Sequence, residues 1–124
     1  MSTIDIWTYR EPSTLGVDPT EGVDLSGYGV EAVDGGIGKV DEATYEVGSS
    51  YMVVDTGPWI FGKKVLLPAG VIDRIDPVAE TVYVNRTKDQ IKDSPEFDES
   101  TYTDAGYRSE VGSYYGPEGR GYNA

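Results

Sequence analysis

The sequence contains no cysteine and no histidine. These absences exclude disulfide bonds and thiol chemistry, and they remove the commonest zinc ligands and the most usual general base. Phenylalanine and tryptophan are also few, with two of each beside sixteen glycines and seven prolines. That balance predicts a small hydrophobic core with many turns, and 124 residues leave room for one domain plus some unpacked chain.

Basic residues are scarce, because ten of them face 22 acidic residues and give a net charge of −12. Residues 1–50 hold ten acids against two bases, whereas residues 51–85 hold four acids against three bases. Nucleic acids and anionic membrane surfaces are bound through clustered lysine and arginine. The charge therefore argues against both as direct partners and is typical of a surface that keeps a chain in solution.

The chain also lacks a long hydrophobic run. No stretch approaches the ~20 apolar residues that a membrane-spanning helix needs. The first residues, Met-Ser-Thr-Ile-Asp-Ile-Trp, lack the basic and apolar regions of a secretory signal. We therefore expect a cytoplasmic protein without a membrane span.

The central stretch of the chain has the strongest β-type pattern. Runs at 51–55 and 63–67 flank the segment Thr-Gly-Pro-Trp-Ile-Phe-Gly, whose glycines and proline mark a turn. This pattern predicts a β-hairpin with a long apolar tip. Its residues Trp59, Ile60 and Phe61 either fold over an open end of the domain or form an exposed patch, and both alternatives stay open.

Turn signals divide the middle of the chain into short strands. Asp-Gly-Gly at 34–36 predicts a tight hairpin turn, and Gly38 predicts a β-bulge or a close backbone approach. The predicted strands comprise residues 28–33, 37–43, 51–55, 63–67, 71–76 and 81–85. Six short strands separated by turns predict an all-β barrel rather than a βαβ fold.

A capping box follows the last predicted strand. Thr87 and Gln90 have the required spacing, so residues 88–93 are predicted to form a short helix. Ser94 and Pro95 then end it.

The order of these pieces resembles the PRC-barrel domain family. The pieces that carry the resemblance are residues 38–40, 51–57, 65–69, 81–85 and 87–95, and it covers residues 25–98. It implies a small barrel of about six strands with one short helix after the last strand, where Ile91 and Phe97 would close one end. It also implies a docking or assembly module that often self-associates. It brings no catalytic residues, and a shared fold does not carry a shared activity.

Residues 1–24 are predicted to be an acidic leader with one possible strand at its start. Ile4 and Ile6 would lie on one face of that strand, with Trp7 and Tyr9 on the other. Several prolines and glycines then prevent a long regular element. The leader is either disordered or folded back on its own domain, or it adds a strand to the sheet edge of a neighbour.

Residues 99–124 are rich in tyrosine, glycine and acidic side chains. They have too few aliphatic residues to offset an ordering cost of ~1–2 kcal/mol per residue, so we expect a mobile, extended arm. Tyrosine nevertheless suits binding, because it offers a large contact area with few torsions to fix. The candidate interface of the chain therefore comprises Ile4, Ile6, Trp7, Tyr9, Trp59, Ile60, Phe61, Tyr102, Tyr107, Tyr114 and Tyr115.

Carboxylates are the best candidates for binding a metal ion. Asp73 with Asp76 and Asp98 with Glu99 are close in sequence, but neither pair has the spacing of a calcium-binding loop, so a solvated surface is the better interpretation. No pattern places two carboxylates in one pocket as an acid and a base. We predict no metal, no cofactor and no catalytic residue.

These observations favour a non-enzymatic assembly module that binds itself or a protein partner. A ribosome-associated or RNA-processing module that acts through a protein partner is the second hypothesis. The third is an enzyme or small-ligand binder, which would need a pocket in a barrel whose interior is usually filled by its own side chains.

Overall fold

The computed structural model describes residues 6–18, 24–44, 50–57, 64–116 and 119. The strands are β1 (Gly29–Ala32), β2 (Gly35–Ala43), β3 (Tyr51–Asp55), β4 (Lys64–Pro68), β5 (Ile72–Asp76) and β6 (Thr81–Val84). The helices are α1 (Pro12–Leu15), α2 (Lys88–Lys92) and α3 (Ala105–Tyr115), and a 3₁₀ turn (Ala69–Val71) joins β4 to β5.

The six strands form one mixed sheet in the order β4-β3-β2-β1-β6-β5. All neighbours are antiparallel except β1 and β6, which run parallel. The central hairpin predicted from the sequence is confirmed, because β3 and β4 pair in register from Tyr51 opposite Pro68 to Asp55 opposite Lys64. The apolar tip of that hairpin lies outside the described residues.

The connection between β4 and β5 shows that the sheet is strongly curled. These strands stand at opposite ends of the order, so a flat sheet would hold them roughly 24 Å apart across five strand spacings. Only the 3₁₀ turn separates Pro68 from Ile72, and that chain spans at most about 14 Å. The two edge strands therefore meet at one corner, although they do not pair with each other in the part of the chain that the structure describes.

Strand β2 depends on a glycine with a left-handed backbone. Ala32 pairs with Gly35 across a two-residue turn, and the register shifts between Val30 and Glu31. Gly38 has φ of 150°, and a Cβ there would lie 2.0 Å from the carbonyl oxygen of Asp55. The close backbone approach predicted for Gly38 is thus confirmed, and only glycine fits.

The hydrophobic core lies inside the curled sheet and includes residues from both ends of the chain. Every residue of β4 except Lys64 is buried, which identifies a strand covered on both faces. Leu15 of α1 is 0 % exposed, and Val111 and Tyr115 of α3 are 1 % and 0 % exposed. The terminal parts of the chain therefore complete the core that the sheet begins.

Helix α2 begins as the sequence predicts. The Thr87 hydroxyl accepts a hydrogen bond from the Gln90 amide at 3.2 Å, and the Thr87 amide donates to the Gln90 side chain at 2.8 Å. Ile91 is fully buried and Phe97 packs against the core at its edge. The capping box and the short helix are confirmed.

Two expectations for the ends of the chain are wrong. Residues 6–9 form a turn and an irregular segment instead of a strand, and α3 makes a second helix after the last strand where a mobile, extended arm was expected. The reason is that both segments lie on the sheet, which supplies the apolar area that their own residues lack. Within the described ranges, no helix is long and apolar enough to cross a membrane.

Candidate functional site

The two ends of the chain meet on the same part of the sheet. The Ser50 amide donates to the carbonyl of Trp7 at 2.8 Å, and the Gly70 amide donates to the carbonyl of Ile6 at 2.7 Å. These bonds fix the N-terminal segment beside the start of β3 and the end of β4. We call residues 6–18 and 97–116 the terminal segments.

A continuous row of side chains links the terminal segments across β3. The ring of Phe97 lies 4.9 Å from that of Tyr102, which makes an edge contact with Tyr51 at 6.1 Å between ring centroids. The Arg108 guanidinium lies 5.4 Å from the Tyr51 ring and 4.5 Å from the Trp7 ring. We call these five residues the aromatic row. All except Tyr51 are partly exposed, so the row forms part of the molecular surface.

Glu42 of β2 joins two tyrosines of the row. Tyr102 donates its hydroxyl to Glu42 Oε1 at 3.1 Å, and Tyr51 donates to Glu42 Oε2 at 3.2 Å. Burial raises the pKa of Tyr51 to about 12, the negative charge of Glu42 adds to this effect, and the positive charge of Arg108 opposes it. Burial and the Glu42 hydrogen bond also raise the pKa of Tyr102. Both hydroxyls therefore stay protonated at neutral pH and act as hydrogen-bond donors.

Lys64 ties the C-terminal segment to the sheet beside this row. Its Nζ donates to Asp41 Oδ2 at 3.0 Å and to Glu99 Oε1 at 3.2 Å. These hydrogen bonds raise the pKa of Lys64. A cleft of about 250 Å³ opens between Lys64, Lys92 at the end of α2 and Phe97 at the end of the aromatic row. Since Lys64 already bridges two carboxylates, this cleft is not a concentrated positive site.

Helix α3 is anchored by its aromatic side chains and its last carbonyl. Tyr114 donates its hydroxyl to the carbonyl of Gln90 at 2.5 Å. The buried Arg86 donates through Nη2 to the carbonyl of Tyr115 at 3.2 Å, which places a cation at the negative end of the helix. Burial raises the pKa of Tyr107 to about 12, so that hydroxyl also stays protonated at neutral pH.

The structure places the residues of the predicted interface in three groups. Those partly buried against the core of their own chain are Ile6, Trp7, Tyr9, Tyr102, Tyr107 and Tyr114, whereas Tyr115 is fully buried. Ile4, Trp59, Ile60 and Phe61 lie outside the described residues. The role of all eleven in binding a partner stays a prediction, but Trp7 and Tyr102 are brought together in the aromatic row.

Sequence reasoning missed the other members of this site. Glu42 carries no local signal, because the contact that defines it joins Tyr102 and Glu42, which are 60 positions apart. One available signal was the position of Arg108 next to a tyrosine in an acidic, tyrosine-rich segment, since arginine stacks on aromatic rings.

The aromatic row presents packed rings, a guanidinium and hydroxyl donors. The tyrosines have raised pKa values and so do not provide an activated oxygen nucleophile. Within the described ranges, no group of three histidine, cysteine, aspartate or glutamate side chains could hold a metal ion.

No protein-family model matches the chain, and no curated protein matches it.

Proposed function

We propose that this chain is a non-enzymatic protein–protein interaction module with a PRC-type barrel, and that it self-associates. The observation that carries this proposal is the partly exposed aromatic row, in which Arg108 lies against Trp7 and Tyr51. Tryptophan, tyrosine and arginine are the residue types that contribute most to protein interfaces. The row is held in place by hydrogen bonds and by buried neighbours, so little conformational entropy is lost when a partner binds it.

The order of the elements supports the PRC-type barrel. Six strands in one curled sheet are followed by the capped helix α2, as the resemblance of residues 25–98 implies. The geometry of the β4–β5 corner brings the edge strands together, which is the first requirement for closing a barrel. The terminal segments cover the core on the outside of this unit.

Self-association is best tested through the apolar hairpin tip and not by truncation. Removing residues 1–24 would delete the buried Leu15, and removing residues 99–124 would delete Val111 and Tyr115. Both deletions would unfold the domain for reasons unrelated to an interface. The variant of choice replaces Trp59 and Phe61 with serine in the full chain, because their sequence context predicts a surface-exposed or end-covering tip.

The measurement is light scattering over a dilution series of the full chain, of the double serine variant and of Val78→Ser. Val78 is 93 % exposed and serves as the matched control for loss of surface hydrophobicity. We expect an oligomer that dissociates on dilution, and a monomer for the double variant with an unchanged circular dichroism spectrum. A full chain that is monomeric at every concentration would rule out self-association.

A further inference from the structure

Arg108 lies in a box built from distant parts of the chain. Its guanidinium faces Trp7 from the N-terminal segment at 4.5 Å and Tyr51 of β3 at 5.4 Å. Glu42 of β2 accepts the Tyr51 hydroxyl at 3.2 Å, so a carboxylate lies at the hydroxyl end of the Tyr51 ring. We call Trp7, Tyr51 and Glu42 the cation box. Two aromatic faces and a carboxylate are what a desolvated guanidinium requires.

The helix that delivers Arg108 is weakly stabilised by itself. Its eleven residues include Gly106 and Gly112, and its N-cap residue Asp104 makes no side-chain capping bond. Glycine costs ~1 kcal/mol relative to alanine in a helix, and isolated helices of this length are marginal in water. Gly112 has a second role, because a Cβ there would lie 3.2 Å from Trp7 Nε1. The Arg108 side chain is partly exposed, so it can leave the box while Val111 and Tyr115 keep helix α3 on the sheet.

We propose that the cation box is a recognition site for an arginine side chain of a basic polypeptide, and that Arg108 occupies it as an intramolecular competitor. This inference rests on the proposed function as a protein interaction module. The net charge of −12 supports it, because long-range attraction brings a basic segment to this surface. Arginine is favoured over lysine because its planar, weakly hydrated group stacks on the rings.

The experiment uses the full chain and its Arg108→Ala variant, with a short peptide of alternating glycine and arginine as the probe. The matching glycine–lysine peptide carries the same charge and is the control for general electrostatic attraction. Binding is followed by the chemical shift of the Trp7 indole NH in two-dimensional NMR. We expect the Arg108→Ala variant to bind the arginine peptide at least about ten-fold more tightly than the wild type, because the competitor is removed.

We also expect the lysine peptide to bind the variant at least about five-fold more weakly than the arginine peptide. Replacing Glu42 with glutamine in the Arg108→Ala background should weaken the binding of both peptides, because it removes the negative charge and leaves the rings that favour arginine. Equal binding of the two peptides, or equal affinities of wild type and variant, would overturn the inference. If Arg108→Ala fails to fold, Arg108→Gln keeps the packing of the side-chain stem and replaces it in the same titration.

The peptide titration and the light-scattering measurement test the two proposals separately. Loss of oligomers on dilution is measured by light scattering without any peptide. If the oligomer forms but the arginine peptide is not preferred, the cation box is wrong and the assembly module stands. If the peptide binds the box and the chain is always monomeric, self-association is wrong and the partner is a foreign basic segment.

Discussion

The sheet and the terminal segments of this molecule are stabilised in different ways. The sheet is held by adjacent aliphatic side chains such as Met52, Leu67 and Ile72, which are all 0 % exposed. The terminal segments have few such anchors, and they attach through rings with polar ends, as in the Glu42 bonds to Tyr51 and Tyr102. A sheet of this kind can be predicted from local hydrophobic patterns, whereas the terminal segments take their structure by packing against the sheet.

This difference predicts where single substitutions act most strongly. An added side-chain atom at a close contact within the sheet cannot be accommodated by a small shift, because the backbone on both sides of the contact is already hydrogen-bonded. A position in the terminal segments tolerates change unless it is one of the few buried anchors. The largest effects should therefore come from the strand junctions, then from the anchors, then from the polar ends of the rings.

Gly38→Ala should have the largest effect. A Cβ at Gly38 would lie 2.0 Å from the carbonyl oxygen of Asp55, and φ of 150° is strained for any other residue. Relief requires the β2–β3 pairing to shift, so we expect a loss of at least about 3 kcal/mol in the free energy of unfolding. The urea concentration at the unfolding midpoint measures it.

Gly106→Ala is the matched control in the C-terminal segment. No atom lies within 4 Å of a Cβ at Gly106, and the residue is exposed near the start of α3. The same substitution should raise the free energy of unfolding by up to ~1 kcal/mol, since alanine is the better helix former. If Gly38→Ala unfolds at the wild-type urea concentration, the tight junction of β2 and β3 is wrong.

Leu15→Ala tests whether the N-terminal segment belongs to the same folding unit as the sheet. Leu15 and the strand residue Leu67 are both 0 % exposed, so each truncation should cost about 2–5 kcal/mol through lost burial and a cavity. Unfolding should stay a single transition for both variants, as followed by tryptophan fluorescence and by circular dichroism in urea. A cost below about 1 kcal/mol for Leu15→Ala with two separate transitions would instead identify an independent arm.

Local patterns predicted the sheet well because its determinants are close in sequence. Strict alternation describes β6, where Val82 and Val84 lie in the core and Tyr83 is partly exposed under the Arg74 guanidinium. Strict alternation does not describe β5, because a register shift follows Ile72 and puts it in the core beside Ile75. A bulge changes the face of every later residue and leaves little trace in the pattern.

The terminal segments could not be predicted in the same way. Composition predicted that residues 99–124 would not fold alone, and it contains no information on the surface of the sheet against which Val111 and Tyr115 pack. The aromatic row could not be predicted from local sequence either, since its members come from both ends and the middle of the chain. The tyrosine content of residues 99–124 predicted that this segment makes contacts with another surface. The assembled fold shows that some of these contacts are made with the sheet of the same chain.

Ionisation of the Tyr51 hydroxyl should change the free energy of unfolding at high pH. The pKa of Tyr51 is raised from 10.0 to about 12, so the folded chain keeps this proton at pH values where the unfolded chain has lost it. Its contribution is fully present below pH 10 and is lost as the pH rises through 12. Tyr51→Phe should therefore reduce the fall in urea midpoint between pH 10 and 12.

The slope that one such tyrosine adds is at most about 1.4 kcal/mol per pH unit, and it is confined to the range between the two pKa values. Tyr83→Phe on β6 is the matched control for the loss of a tyrosine hydroxyl elsewhere in the sheet. Equal slopes for Tyr51→Phe and the wild type would mean that the Tyr51 hydroxyl titrates as it does in the unfolded chain. In that case the Tyr51 hydroxyl would be neither buried nor bonded to Glu42, and its place in the aromatic row would be wrong.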